Sequence, residues 1–335
     1  MEMISIIIPC KNEEKYIAIC LESVINNNYP KEFIEVIVVD GNSTDSTQNI
    51  IWQYVKKNKF IHLLLNNNET VPYALNLAIK KATGNYIFRL DAHSKIPNNY
   101  FTELIKWCKK LGADNVGALC NTEVKNTKAK AISIKKVLSS KFGVGNSYFR
   151  TGIDEIKEVD TVPFGCFPKE IFNKIGYFDF RLKRNQDIEF NKRIKRFGGK
   201  IYLIPTLHFT YFARETYLEL AKNNFSNGLW IILTVYITKR LDSLSLRHFV
   251  PCIFLSSLIF PTLAAIWLPV TSFISLFSLT LYLLILFIIS IINSGKETTF
   301  YYIFISYLVL HFSYGFGSIV GLACLGILFR KKNEK

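Results

Sequence analysis

The chain has 335 residues, room for two or three domains, and a formal net charge of +15. Its lysines are scattered among asparagine and isoleucine rather than gathered into a basic patch, which argues against nucleic acid as a partner. The seven cysteines form no CxxC pair and no zinc spacing with histidine, so they read as reduced, buried small hydrophobes of a cytoplasm-facing protein.

The first elements alternate. "MISIIIPC" is a continuous apolar run stopped by Pro9, as expected of a strand buried on both faces. A strand at the very start leaves no room for a cleavable signal peptide. The next segment carries Ile17, Cys20, Leu21, Val24 and Ile25 at helical spacing, with Asn12 placed to cap it. "EVIVVDGNSTDST" predicts a second buried strand ending in Asp40, with Ser43 or Thr44 opening a helix through Tyr54. "IHLLLNNN" is a third strand, "VPYALNLAIKKATG" a helix closed by Gly84, and "YIFRL" a fourth strand. Strand and helix alternating with short polar loops predict an α/β domain with a mainly parallel, Rossmann-like sheet. Ligands of such sheets sit beyond the carboxyl ends of the strands. Pro9 to Glu13, Asp40 to Asp45, Asn66 to Thr70 and Asp91 to His93 all fall there.

The first strand-to-helix turn, "PCKNEE", has neither GxGxxG nor GxxxxGK[ST], so a backbone cradle for phosphate is missing at its usual place. Asp91 and His93 project from the same face of a strand end and can grip a divalent cation bound to phosphate oxygens; a turn-forming Asp beside a packed His is the plainer alternative. Arg89, on that same face, either pairs with Asp91 or reaches phosphate oxygens. Asp40 is an acceptor for base or ribose groups of a nucleotide, or an N-cap, whereas Asp45 reads as a cap. Asp187 either caps an amphipathic helix carrying Ile188, Ile194 and Phe197 or takes a proton from an incoming hydroxyl. Arg214 faces a diphosphate or a lipid headgroup, at the head of a segment whose Trp230, Tyr236 and basic end suit a helix at the membrane surface.

Composition changes near Leu246. From Phe249 to Ile292 there is no charged side chain, about twice the ~20 residues that cross a bilayer, with Pro269 near the middle. Two linked membrane helices are predicted, and a third over Phe300 to Phe329, whose Gly315, Gly317, Gly321 and Gly326 suit close helix contact. Lys239, Arg240, Arg247 and His248 hold the N-terminal domain on the cytoplasmic side. Three full crossings put Arg330, Lys331 and Lys332 outside, against that rule, which points to one segment being re-entrant or interfacial. The expected division is a catalytic domain over 1–212, an interfacial region over 213–246 and a membrane region over 247–335, in a multi-pass protein of the cell membrane.

"IIIPCKNEEKYI", "VIVVDGNSTDST", "VPYALNLAIKKATGNYIFRLDAH" and "NQDIEF", in this order, resemble the inverting family 2 glycosyltransferases of the GT-A fold. The RLDAH form and the apolar tail look most like the succinoglycan-biosynthesis type. The resemblance implies that Pro9, Glu13 and Asp40 hold the base and ribose, that Asn76 belongs to the donor site, and that Asp91 is the DxD acid nearest the diphosphate. It implies that Asp187 is the catalytic base and that Gly165 lines the acceptor site. His93 stands where the second DxD acid is usual and, as a neutral imidazole, suits Mn2+ better than Mg2+. Gln186 replaces the usual acid before the base and can donate a hydrogen bond without adding charge. The implied reaction moves a sugar from a nucleotide-sugar, a UDP-sugar by family tendency, to a lipid-linked saccharide on the cytoplasmic face. A polyprenyl-phosphate glycosyltransferase and a non-catalytic membrane scaffold with a nucleotide-binding domain are the alternatives.

Overall fold

The computed structural model describes the chain through Asn333, with side chains through Leu325. Gly326, Arg330, Lys331 and Lys332 therefore lie outside the residues whose side chains are described. Contacts divide the chain into two compact units: Met1–Asn121 with Tyr148–Phe212, and Thr122–Ser147 with the chain from Ala213 onward.

The first unit is built on a mixed sheet. Its strands are β1 (Ile4–Cys10), β2 (Ile34–Asp40), β3 (Ile61–Leu65), β4 (Tyr86–Arg89), β5 (Ser94–Lys95), β6 (Asn115–Glu123), β7 (Lys157–Glu158), β8 (Cys166–Pro168) and β9 (Ile201–Phe212), in the order β3-β2-β1-β4-β8-β6-β9-β5 with β7 on β9. The first four are mutually parallel, as their apolar runs predict, and β8 lies antiparallel to both β4 and β6. The parallel sheet is thus only the N-terminal half; after Gly112 two long strands, β6 and β9, flank very short ones, β7 and β8, a pattern that does not foretell the antiparallel half.

Every residue of β1 is buried, and its side chains alternate between two cores. Ile4, Ile6 and Ile8 enter one core with Val36 and Val38, while Ile7 enters the other with Ile37 and Val39. Helices α1 (Ile17–Ile25), α2 (Thr47–Lys57) and α4 (Tyr100–Leu111) cover the first face, and α3 (Val71–Lys81) covers the second. Each fully buried Ile or Val contributes about 1.5–3 kcal/mol, so the register of these strands is strongly fixed. It brings Cys10 opposite Asp40 and Ile7 opposite Arg89, setting the carboxyl ends of β1, β2 and β4 side by side.

In the second unit, α5 (Ala129–Leu138) and α6 (Lys141–Val144) pack with the C-terminal helices, so Thr122–Ser147 separates from the continuous 1–212 block expected from sequence. The reason is apolar: Val137 shares a cluster with Leu286, Ile303, Tyr307 and Leu310. Hydrogen bonds add to it, Ser140 Oγ with Tyr307 Oη at 2.7 Å and His311 Nε2 with the Phe142 carbonyl at 3.0 Å.

The first unit also holds α7 (Tyr148–Thr151), α8 (Glu170–Ile175) and α9 (Gln186–Arg196), and the second holds α10 (Tyr217–Thr238), α11 (Val250–Ala264), α12 (Ser272–Asn293) and α13 (Phe300–Asn333). Three stretches, Leu246–Ala264, Pro269–Asn293 and Phe300–Leu325, are long and apolar enough to cross a membrane. Phe273, Ile274, Phe277, Leu284 and Ile292 of α12 are exposed, an apolar surface that belongs in lipid rather than water. Helix α10 packs lengthwise against α13 instead of lying alone at a surface. A Cβ on Gly228 would stand 1.9 Å from the Tyr314 carbonyl oxygen, and one on Gly317 would stand 2.0 Å from that of Phe225. Only glycine permits these backbones to approach so closely.

Candidate active site

The loops after β1 and β2 are laced together. Asn12, at φ 54°, caps no helix; its Oδ1 accepts from Thr44 N at 2.8 Å, and its own N–H donates to Ser43 Oγ. Asp40, fully buried at the end of β2, accepts from Ser43 N at 2.9 Å and from Gln48 Nε2 at 2.6 Å on one oxygen, and from Ser43 Oγ on the other. Those bonds tie both carboxylate oxygens to the turn after β2 and to the first turn of α2; Pro9 is buried within β1 beside it.

Glu13 and His93 meet from opposite loops, with Glu13 Oε1 2.9 Å from His93 Nδ1. Tyr211 of β9 meets the imidazole edge-on at 4.9 Å, and Tyr16 lies at 6.5 Å. Burial disfavours the imidazolium, but Tyr211, the bond to Glu13 and the charges of Glu13 and Asp91 outweigh it and push the His93 pKa up to about 10.

Arg89 resolves its two alternatives by pairing twice. Its Nη2 donates to Asp91 Oδ1 at 3.0 Å and its Nη1 to Asp187 Oδ2 at 3.1 Å, from a side chain only 12% exposed. Burial acts against the guanidinium charge, and the two carboxylates more than restore it. Asp187 stands in the first turn of α9. The N-cap is Asn185, at φ 62°, so Asp187 is not the cap; its second oxygen accepts from Ile188 N at 2.9 Å. One buried cation thus joins the acid beyond β4 to the acid that opens α9.

Asn76 reaches the backbone of Phe178: its Nδ2 donates to the Phe178 carbonyl at 2.8 Å and its Oδ1 accepts from Phe178 N at 3.0 Å, so both ends of the amide engage one backbone residue.

Among the described residues, no group of three or more His, Cys, Asp and Glu is placed to hold a metal unaided. The donor set nevertheless suits a cation shared with a bound anion. Glu13 holds His93 Nδ1 and fixes the ring; a cation would have to displace the Nε2 proton of the imidazolium to take that nitrogen as a ligand, in the carboxylate–histidine arrangement that supports metal-bound imidazoles. Asp91 commits only Oδ1 to Arg89.

A family model described as glycosyl transferase family 2 matches residues 5–176. The chain belongs to glycosyl transferase family 2. One relative is the dolichyl N-acetyl-alpha-D-glucosaminyl phosphate 3-beta-D-2,3-diacetamido-2,3-dideoxy-beta-D-glucuronosyltransferase of Methanococcus voltae, 31% identical over 68% of this chain and 72% of that protein. Another is the succinoglycan biosynthesis protein ExoA of Rhizobium meliloti, 28% identical over 67% of each. Among solved structures, the mannosyltransferase PcManGT from Pyrobaculum calidifontis, in complex with GDP-Man and Mn2+, superposes with a TM-score of 0.62 at 14% identity, over 96% of this chain and 87% of that one, which shows the shared fold.

This family 2 glycosyltransferase, of GT-A fold, places its remaining predicted residues as follows. Gly165 precedes β8, and its carbonyl accepts from Arg89 N at 3.4 Å. A Cβ there would fall 1.9 Å from Asn115 Oδ1. Asn115 is fully buried and donates to Asn191, which donates to Thr161 Oγ1, each at 2.8 Å. Gly165→Ala is therefore expected to displace Asn115, break this chain of amides and destabilise the first unit by about 1–3 kcal/mol, read as a lower denaturation midpoint. Gln186 is buried beside Asp187, and its Oε1 has no partner among the described residues. Arg214 belongs to the second unit. The Asn115–Asn191 pair was not foreseen, and nothing in either residue's neighbourhood in sequence marks it.

Proposed function

We propose that the chain is a membrane-attached, inverting glycosyltransferase that moves a sugar from a nucleotide-sugar, a UDP-sugar, to a lipid-linked saccharide on the cytoplasmic face, in cell-surface polysaccharide synthesis. The observation that carries this reading is the single guanidinium of Arg89 holding both Asp91 and Asp187. It joins an acid suited to the diphosphate side of a donor to an acid suited to deprotonating an acceptor. The three apolar helices would keep a lipid-linked acceptor at the membrane, and the names of the two relatives, a dolichyl-phosphate-linked saccharide transferase and a succinoglycan biosynthesis protein, support the acceptor class and the setting.

In this mechanism Asp187 accepts the proton of the acceptor hydroxyl as the oxygen attacks the anomeric carbon. Arg89 holds and orients that carboxylate, and its charge faces the negative charge that gathers on the departing diphosphate. Glu13 orients His93. A divalent cation, Mn2+ or Mg2+, would be held by Asp91 and His93 and supplies neutralisation of the diphosphate. A single displacement inverts the anomeric centre, so an α-linked donor yields a β-linkage.

The test is binding and transfer together, with membranes carrying the full chain, a panel of labelled nucleotide-sugars and lipid-linked acceptors. Turnover of one donor that disappears in Asp91→Ala is expected; equal turnover by that variant removes Asp91 from the donor site. Glu13→Gln is expected to raise the cation concentration giving half-maximal activity by about 10–100-fold, because the partner that orients His93 is weakened. An unchanged cation requirement would reduce the Glu13–His93 pair to packing.

A further inference from the structure

The two hydrogen bonds of Asn76 form one end of a clamp. Phe178, the residue it grips, is 4% exposed, and its ring lies against Phe190 with centroids 4.6 Å apart. Phe190 is fully buried on α9, one turn beyond Asp187. From the same helix, Arg193 Nη1 donates to the carbonyls of Ile175 at 2.8 Å and Tyr177 at 2.9 Å, and Arg193 is itself held by Glu189 at 2.6 Å. The segment from Ile175 to Phe178 is thus bound to α9 through Arg193 and Phe190, and to α3 through Asn76.

We infer that Asn76 is a positioning residue for Asp187: by gripping both backbone groups of Phe178, it sets where α9, and the carboxylate at its start, stands against Arg89 and Asp91. Asn76 then acts on the acceptor side of the reaction rather than on the nucleotide. This rests on Asp187 being the base. Asparagine suits the task because its short amide presents one donor and one acceptor to the N–H and carbonyl of a single residue. Aspartate keeps the acceptor but turns a second oxygen toward the Phe178 carbonyl, so the grip opens on one side. A displacement of the base by about 1 Å costs up to about 10²-fold in rate.

The experiment compares wild type, Asn76→Asp, Asp187→Asn and the double variant as full chains in membranes, measuring kcat and donor KM, with UDP binding measured directly. Asn76→Asp is expected to lower kcat by about 10–100-fold with donor KM and UDP affinity within about threefold of wild type. In the Asp187→Asn background the same change is expected to cost little, because a misplaced base matters only where a base is present. Phe178→Leu, which keeps the backbone grip but loosens the contact with Phe190, is expected to lower kcat alone by a smaller factor, and decides the matter if Asn76→Asp does not fold. UDP affinity falling in step with kcat/KM would make Asn76 a nucleotide contact, and an unchanged kcat would show the clamp to be idle; either overturns the inference. Equal losses in both backgrounds would do the same. Wild-type protein that turns over no donor would instead sink the proposed reaction itself, leaving UDP binding to wild type and Asn76→Asp to show whether Asn76 touches nucleotide.

Discussion

Asp187→Asn is expected to lower sugar transfer by about 10²–10⁴-fold while leaving donor affinity within a few-fold of wild type. The amide preserves the shape of the side chain and can still offer an oxygen to Arg89, but it cannot take a proton. In the proposed reaction the donor is anchored at Asp91, beyond β4, so the loss is expected on kcat rather than on binding. The size of the effect separates two acceptor classes. A saccharide hydroxyl must lose its proton as it attacks, whereas a polyprenyl phosphate arrives already ionised. A loss below about tenfold, measured with a turned-over donor and each acceptor, would favour the phosphate as acceptor and remove Asp187 from the role of base.

The second large effect is expected at Arg89. Replacing it with Met leaves the carboxylates of Asp91 and Asp187 without the cation that lies between them, in a site where the arginine side chain is 12% exposed. Breaking a buried ion pair by removing one partner costs about 3–5 kcal/mol, because the partner charge is left behind. The variant is expected to lose transfer and to unfold at lower denaturant, with the loss of stability partly reversed when Asp187 is also replaced by Asn. Lysine is a poor substitute: one ammonium lacks the planar fork that reaches two carboxylates at once. Retention of full activity by Arg89→Lys would show that charge alone suffices, and a stability equal to wild type in Arg89→Met would show the bridge to be incidental.

The parallel half of the sheet was legible because β1 and β2 consist of apolar runs ending in Pro9-Cys10 and Asp40, and burial on both faces leaves such runs few alternatives. The same pattern placed Asp91 and His93 at the carboxyl edge, where the structure has them. What could not be read was which groups spend their hydrogen bonds on one another. Asp40 looks identical in sequence whether its lone pairs are open or taken by Ser43 and Gln48. Asn76 sits in a helix whose pattern says nothing of Phe178, and the partner that fixes His93 lies in a different loop. The packing of Thr122–Ser147 with the C-terminal helices was hidden for a related reason. Its apolar residues Ile134 and Val137 announce a buried helix face without naming the surface that covers it.

The proposed reaction is tested most directly by the anomeric configuration and the location of the transferred sugar. Membranes carrying the full chain would be supplied with a 13C-labelled α-linked nucleotide-sugar and a lipid-linked saccharide, and the product extracted into organic solvent for NMR. A lipid-phase product bearing a new β-linkage, absent from the Asp187→Asn protein, is the expected result. A retained α-linkage, or label released only as free sugar into water, would contradict single displacement onto a lipid-linked acceptor.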